Sequence, residues 1–262
     1  RDPWKEVVYN QNLKRSARAE RKDRRLEHDA LNAADGIVSI SKDILQLLES
    51  KREKPRNGCL VFNGYDNRPA PLPRNDCPVI TYTGVLSVTR IPTPLLPALR
   101  ELREENIRFR LKFIGNTCPE LRQLVEENGL TADTEYISYL PHDESIRHIN
   151  SSDALLLVID NVPNNKGILT GKLFEYIGAQ RSILAIGNTE GEARHIIDEC
   201  QCGEMVDYND TEGAKRILRK LHEAWQCQTP AYSFSNSSRY SREATTGELA
   251  HFMNHVLSRH TK

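Results

Sequence analysis

The chain has 262 residues, long enough for one large domain or two small ones. Hydrophobic residues make up 38% and charged residues 27%, and 36 Lys and Arg are balanced by 36 Asp and Glu, which gives no global attraction for nucleic acid. No run approaches the roughly 20 apolar residues of a membrane span, no signal-peptide pattern is visible, and the six cysteines are scattered without a CxxC, as reduced thiols of a cytosolic protein would be.

The chain starts at Arg1 without a methionine, in what reads as a turn, and is expected to be a piece of a longer protein. A helix is expected from about Glu6 to Asp35, its basic run Lys14 to Arg25 forming an exposed face. A short strand, Gly36 to Ile40, follows. Ser41 then reads as the N-cap of a helix over Lys42 to Lys51, whose Ile44, Leu45, Leu47 and Leu48 make an apolar stripe. Cys59 to Phe62 is a second strand. The stretch Asn63-Gly-Tyr-Asp66 and the prolines that follow it mark a linker.

Beyond the linker, strands expected at Val79–Leu86, Arg108–Ile114, Glu135–Tyr139, Ala154–Ile159, Ser182–Ile186 and Glu204–Asp207 alternate with helices. The helices are Pro94–Glu105, Pro119–Asn128, Asp143–Asn150, Gly171–Ala179, Glu192–Glu199 and Thr211–Gln226. This alternation predicts β–α–β units and a parallel sheet. The run Leu155 to Ile159 is apolar without alternation, as a central strand covered on both faces requires. A last helix is expected from about Glu243 to Arg259.

Ligands of open parallel sheets sit beyond the C-terminal strand ends. Four turns there carry chemistry. The turn after Thr83 places Gly84 where a ligand can approach the backbone, and Arg90 where a guanidinium can grip a phosphate. The next holds Gly115 and Asn116. The third holds Leu140 and then His142, ahead of Asp143 as a candidate N-cap. The fourth, Gly167-Ile-Leu-Thr-Gly-Lys-Leu-Phe-Glu-Tyr176, opens a helix on Gly171, with Lys172 and Glu175 one turn apart. A helix N-terminus presents unpaired N–H groups and a positive dipole to an anion, Lys172 adds charge, and Glu175 can accept from sugar hydroxyls. Read alone, the same pair is equally consistent with a solvated surface helix. No GxGxxG, P-loop, nucleophile elbow, HExxH or calcium loop occurs, so no metal is expected.

Several of these residues resemble the bacterial retaining glycosyltransferases of the GT-B architecture. They are Arg1-Asp-Pro-Trp4, Ala34 to Ser41, Asn63-Gly-Tyr-Asp66, Tyr82-Thr-Gly84, Phe113-Ile-Gly115 and Lys172-Leu-Phe-Glu-Tyr176, with Ile183-Leu-Ala185 after them. The resemblance implies an α/β fold in which a Rossmann-like doubly wound parallel sheet, the donor domain, follows a partial N-terminal α/β domain. In this division residues 1–66 end the acceptor-side domain, 67–77 are the linker, 78–232 bind the donor, and 233–262 form a helix crossing back.

The resemblance further implies transfer of a sugar from a nucleoside diphosphate sugar to a glycan or lipid-linked acceptor, with retention, in cell-surface polysaccharide or glycoconjugate synthesis. It implies no cofactor and no metal. It also implies a cytoplasmic location, with peripheral association at the inner membrane face through the rest of the acceptor-side domain. By this comparison Glu175 matches the glutamate that binds the ribose, and Leu169, Thr170 and Gly171 lie against the diphosphate and sugar. Arg90 stands where many members have a phosphate-binding lysine. Gly84, Gly115, Asn116, Leu140, His142 and Lys172 complete the donor site. Two positions depart from the pattern: Val85 replaces a common arginine, and Gly167 replaces a second glutamate. These departures keep a non-catalytic nucleotide-sugar-binding module open beside the enzyme, with a nucleotide-sugar epimerase ranked last.

Overall fold

The structure, a computed structural model, describes residues 4, 15–54, 57–66, 69–70 and 75–260. The first expected helix is described only from its middle, as α1 (Ala17–Ala33), begun by Ser16, whose hydroxyl accepts from Ala19 N. Residues 6–14 of that expectation, most of the Arg1 to Trp4 motif and much of the linker lie outside the described residues. The basic face of α1 is exposed as expected, and its one buried residue, Glu27, pairs with Lys51 at 2.7 Å. Strand β1 (Gly36–Ser39), helix α2 (Lys42–Ser50) and strand β2 (Asn57–Leu60) complete a β–α–β unit whose two strands pair in parallel. β2 lies two residues upstream of its expected span. Phe62 has left the sheet and packs edge-on against Tyr240, with ring centroids 5.3 Å apart.

Six strands form the second sheet: β3 (Val79–Thr83), β4 (Arg110–Ile114), β5 (Thr134–Ile137), β6 (Ala154–Val158), β7 (Ser182–Ile186) and β8 (Gly203–Val206). They are all parallel, in the order β5-β4-β3-β6-β7-β8. The helices between them are α3 (Leu95–Glu104), α4 (Pro119–Glu127), α5 (His142–Asn150), α6 (Gly171–Ala179) and α7 (Glu192–Cys200), with α8 (Thr211–Cys227) after β8. The period of two along β6 divides the core. Leu156 and Val158 join α3, α4 and α8 on one face, while Leu155 and Leu157 join Ile149 of α5 and the residues of α6 and α7 on the other. Both faces of β6 are therefore dry, which is why its sequence does not alternate.

The strand numbering runs outward in opposite directions from the β3–β6 boundary, so the topological switch point lies there. The β3–β6 ladder covers only Ile80 and Thr81, paired with Ala154 and Leu155. Further along, Thr83 N donates to the Tyr176 hydroxyl at 3.2 Å instead of to a neighbouring strand. A crevice can open at that splay.

The last helix, α9 (Arg242–His260), returns to the first sheet. Tyr65 N donates to Tyr240 O and Arg242 N to Tyr65 O, at 3.1 and 2.9 Å, which ties the Asn63 to Asp66 segment to the start of α9. Phe252 of α9 lies so close to Gly36 that a Cβ there would sit 2.7 Å from its ring. A second tie joins the sheets near the switch point. The Glu192 carboxylate accepts from Ser41 Oγ, Lys42 N and Asp43 N at 2.7, 2.9 and 2.8 Å, capping α2 from the other sheet. Ser41 also caps its own helix as expected, accepting from Ile44 N at 3.2 Å. Among the described residues no helix is long and apolar enough to cross a membrane.

Candidate functional site

The turns after β3 and β4 meet through their glycines. Gly84 and Gly115 both hold positive φ, 107° and 114°, a conformation that costs glycine little. A Cβ on Gly115 would lie 2.4 Å from Gly84 O, so the two turns approach more closely than a side chain there would allow. Gly84 itself is exposed, and a Cβ there would stand 3.2 Å from Lys172 Nζ. The loop glycine and the helix lysine, distant in sequence, thus frame one spot above the switch point.

Helix α6 starts at that spot, and its boundaries are those expected, Gly171–Ala179. Its N-cap, Thr170, makes no side-chain cap bond, and the Thr170 hydroxyl is buried with no hydrogen-bond partner among the described residues. An orphaned hydroxyl costs about 1–3 kcal/mol of desolvation unless a ligand supplies the partner. Lys172, partly buried, donates to the Tyr82 hydroxyl at 2.6 Å and lies 3.9 Å from the centroid of that ring. Burial first, and the Arg90 charge second, pull the Lys172 amine down to about 7, while Glu175 and Asp160 oppose the shift.

Arg90 sits in a single 3-10 turn, Val88–Arg90, and its guanidinium is not alone. Nε and Nη2 donate to Asp160 Oδ2 at 2.8 and 2.6 Å, and Nη1 lies 3.5 Å from Val85 O. The Tyr82 hydroxyl donates to the same Val85 carbonyl at 2.9 Å. Burial pushes the Tyr82 phenol up to about 12, against the nearby Arg90 charge. Among the described residues no cluster of three or more His, Cys, Asp or Glu is arranged to hold a metal.

The remaining expected residues spread around this centre. Leu169 is buried, and Glu175 is partly buried on the first turns of α6. Asn116 is exposed, and its carbonyl accepts from Leu86 N at 2.9 Å, which holds the β3 and β4 turns side by side. Leu140 and His142 follow β5, the edge strand two places from β3, and His142 is exposed. Helix α5 begins at His142 itself with Pro141 at the N-cap, so Asp143 lies inside the first turn rather than capping it. At the two departures from the family pattern, Val85 is exposed, whereas Gly167 is buried. A Cβ on Gly167 would lie 2.7 Å from Ser41 Oγ and 3.0 Å from Asp43 Cβ. The N-terminus of α2, held by Glu192, fills the space a side chain at 167 would need.

Sequence reasoning missed two members of the site. Tyr82 was legible only as the residue before Thr83-Gly84, with no role attached. Asp160, directly after the apolar run that ends at Ile159, carried a usable signal: an acidic residue at the C-terminal end of a central strand.

No protein-family profile matches the chain. In sequence it is 25% identical over 226 residues to the probable glycosyltransferase WbjE of Pseudomonas aeruginosa, an alignment covering 80% of this chain and 55% of that protein. The chain therefore spans about half the length of the curated relative it matches. In structure it superposes on Anabaena HepE in complex with UDP with a TM-score of 0.70 at 14% identity, covering 89% of this chain and 67% of HepE. Sucrose-phosphate synthase from Thermosynechococcus elongatus gives 0.69 at 14% identity, over 93% of this chain and 64% of that one. The chain has the α/β fold of the GT-B glycosyltransferases and resembles a glycosyltransferase in sequence.

Proposed function

We propose that this chain is the donor-binding part of a glycosyltransferase that moves a sugar from a nucleoside diphosphate sugar to a glycan or lipid-linked acceptor with retention of configuration. The carrying observation is the start of α6: an uncapped helix N-terminus with the buried, unpartnered Thr170 hydroxyl, beside Lys172 and facing Gly84. A leaving diphosphate develops negative charge that fixed cations and a helix dipole can stabilise without reorganisation. Arg90, Lys172 and the Gly171 end of α6 are such groups, and Glu175 on the same helix suits a ribose. The likeness to HepE, solved with UDP, and to WbjE, named a probable glycosyltransferase, supports the same reading. The reading includes a role in cell-surface polysaccharide or glycoconjugate synthesis and a cytoplasmic location with peripheral contact at the inner membrane face.

The test is calorimetric titration of the chain with UDP, GDP and ADP. At least one is expected to bind below millimolar concentration, and Arg90→Ala and Lys172→Ala are each expected to weaken it. No binding of any of the three at millimolar concentration contradicts the assignment. The packing of α2 over Gly167 favours, as a second reading, a non-catalytic module of the same fold. Nucleotide-sugar binding without transfer or hydrolysis by the full-length protein would support that reading.

A further inference from the structure

We propose that Asp160 is a positioning residue of the donor site: its carboxylate aims the Arg90 guanidinium and supplies the counter-charge that Arg90 and Lys172 share. The proposal rests on reading this site as one for a nucleoside diphosphate.

The two oxygens of Asp160 have separate duties. Oδ2 takes both Arg90 bonds, and Oδ1 accepts from Thr89 Oγ1 at 2.6 Å. Thr89 Oγ1 is in turn 2.9 Å from Ser87 Oγ. The main chain is fixed as firmly: Asp160 O accepts from Asn165 Nδ2 and from the Tyr208 hydroxyl, each at 3.0 Å, and Asn161 N donates to Thr89 O at 2.8 Å. Asp160 therefore stitches the turn after β3 to the turn after β6 across the switch point, where the strand ladder has ended. Its side chain is 17% exposed and that of Arg90 30%, so the pair is partly screened from water. One edge of the guanidinium is engaged by Asp160, while Nη1 lies 3.5 Å from Val85 O and the Tyr82 hydroxyl stands against the group. A guanidinium gripped on one edge is pre-aimed on the other.

The charges around Lys172 complete the argument. Tyr82 faces it from β3, Arg90 from the turn after β3, Asp160 from the turn after β6, and Glu175 from α6. Asp160 and Glu175 support its protonated form, and burial and Arg90 oppose it. Neutralising Asp160 then makes Lys172 shed its proton at lower pH, an effect that a purely structural role for Asp160 does not produce.

UDP titrations across the neutral to alkaline range read both effects, because the nucleotide's own titration is common to every variant. In the unaltered chain, affinity is expected to fall as pH rises above about 7, where burial makes Lys172 shed its charge. Asp160→Asn is expected to weaken UDP binding about fivefold or more near neutrality and to begin the alkaline fall at lower pH. Thr89→Val, which frees Oδ1 but keeps the charge, is expected to weaken binding without moving the pH profile, and Lys172→Met to flatten the profile. Asp160→Asn that binds as tightly as the unaltered chain, or with an unmoved profile, overturns the proposal while leaving the site reading intact. If Asp160→Asn does not fold, unchanged UDP affinity in Thr89→Val overturns it instead. Failure of the unaltered chain to bind UDP, GDP or ADP removes the site reading and the proposal together.

Discussion

Strand β6 has an aspartate just outside each end, and the two are used in opposite ways. Asp153, before the strand, accepts from Asn75 Nδ2 and Val79 N, both at 2.8 Å, and burial raises its carboxyl above the usual range. Its hydrogen-bond partners are a main-chain N–H and an amide, with the Arg181 charge further off. Asp160, after the strand, faces an arginine, a threonine hydroxyl and, further off, a lysine. There the partners are side chains held beside an uncapped helix N-terminus, where an incoming anion can reach them. The same residue type thus closes the sheet at one end and tunes a cradle at the other. The difference follows from topology: ligands reach the C-terminal strand ends at the switch point, and the N-terminal ends serve stability.

Separating affinity from stability breaks this contrast if it is wrong. The largest effect is expected at the ligand end, where Arg90→Ala should weaken nucleoside diphosphate binding about 10- to 100-fold, the worth of about 1.5–3 kcal/mol for a charged hydrogen bond. Calorimetric titration measures it, and equal affinity would show that Arg90 serves only Asp160. At the other end, Asp153→Ala should lower folding stability in urea by about 1–3 kcal/mol by stranding Val79 N and leave UDP affinity unchanged. A parallel loss of UDP binding would mean the two ends are not independent. A third carboxylate sharpens the rule with a smaller effect. Glu192→Gln weakens the cap on α2 and should cost about 1 kcal/mol of stability, read by the same urea titration, again without changing UDP affinity.

Much of the frame could be read from residues whose local chemistry has one reading. The run Ser182 to Ile186 and the helix Gly171 to Ala179 fall where apolar continuity and an opening glycine put them. Gly84, Lys172 and Arg90 were legible as candidates because glycine and cations at strand ends have few structural uses, and the fold brings them together. Other features depended on contacts distant in sequence. Phe62 belongs by pattern to a strand, but its ring packs against Phe174 and Tyr240 outside the sheet. Tyr82 reads as one more buried strand residue until Lys172 is found on its hydroxyl. The Glu192 cap joins positions about 150 apart in sequence, and no local pattern at either end announces the other.

The account stands on one placement, that of a diphosphate over the start of α6. A crystal structure of the chain with UDP tests it directly. The account predicts the diphosphate within hydrogen-bond reach of Arg90, Lys172 and the α6 N-terminus, with the Thr170 hydroxyl partnered and the ribose against Glu175. UDP bound at the opposite strand ends, in the cavity between Arg181 and Trp225, would contradict it.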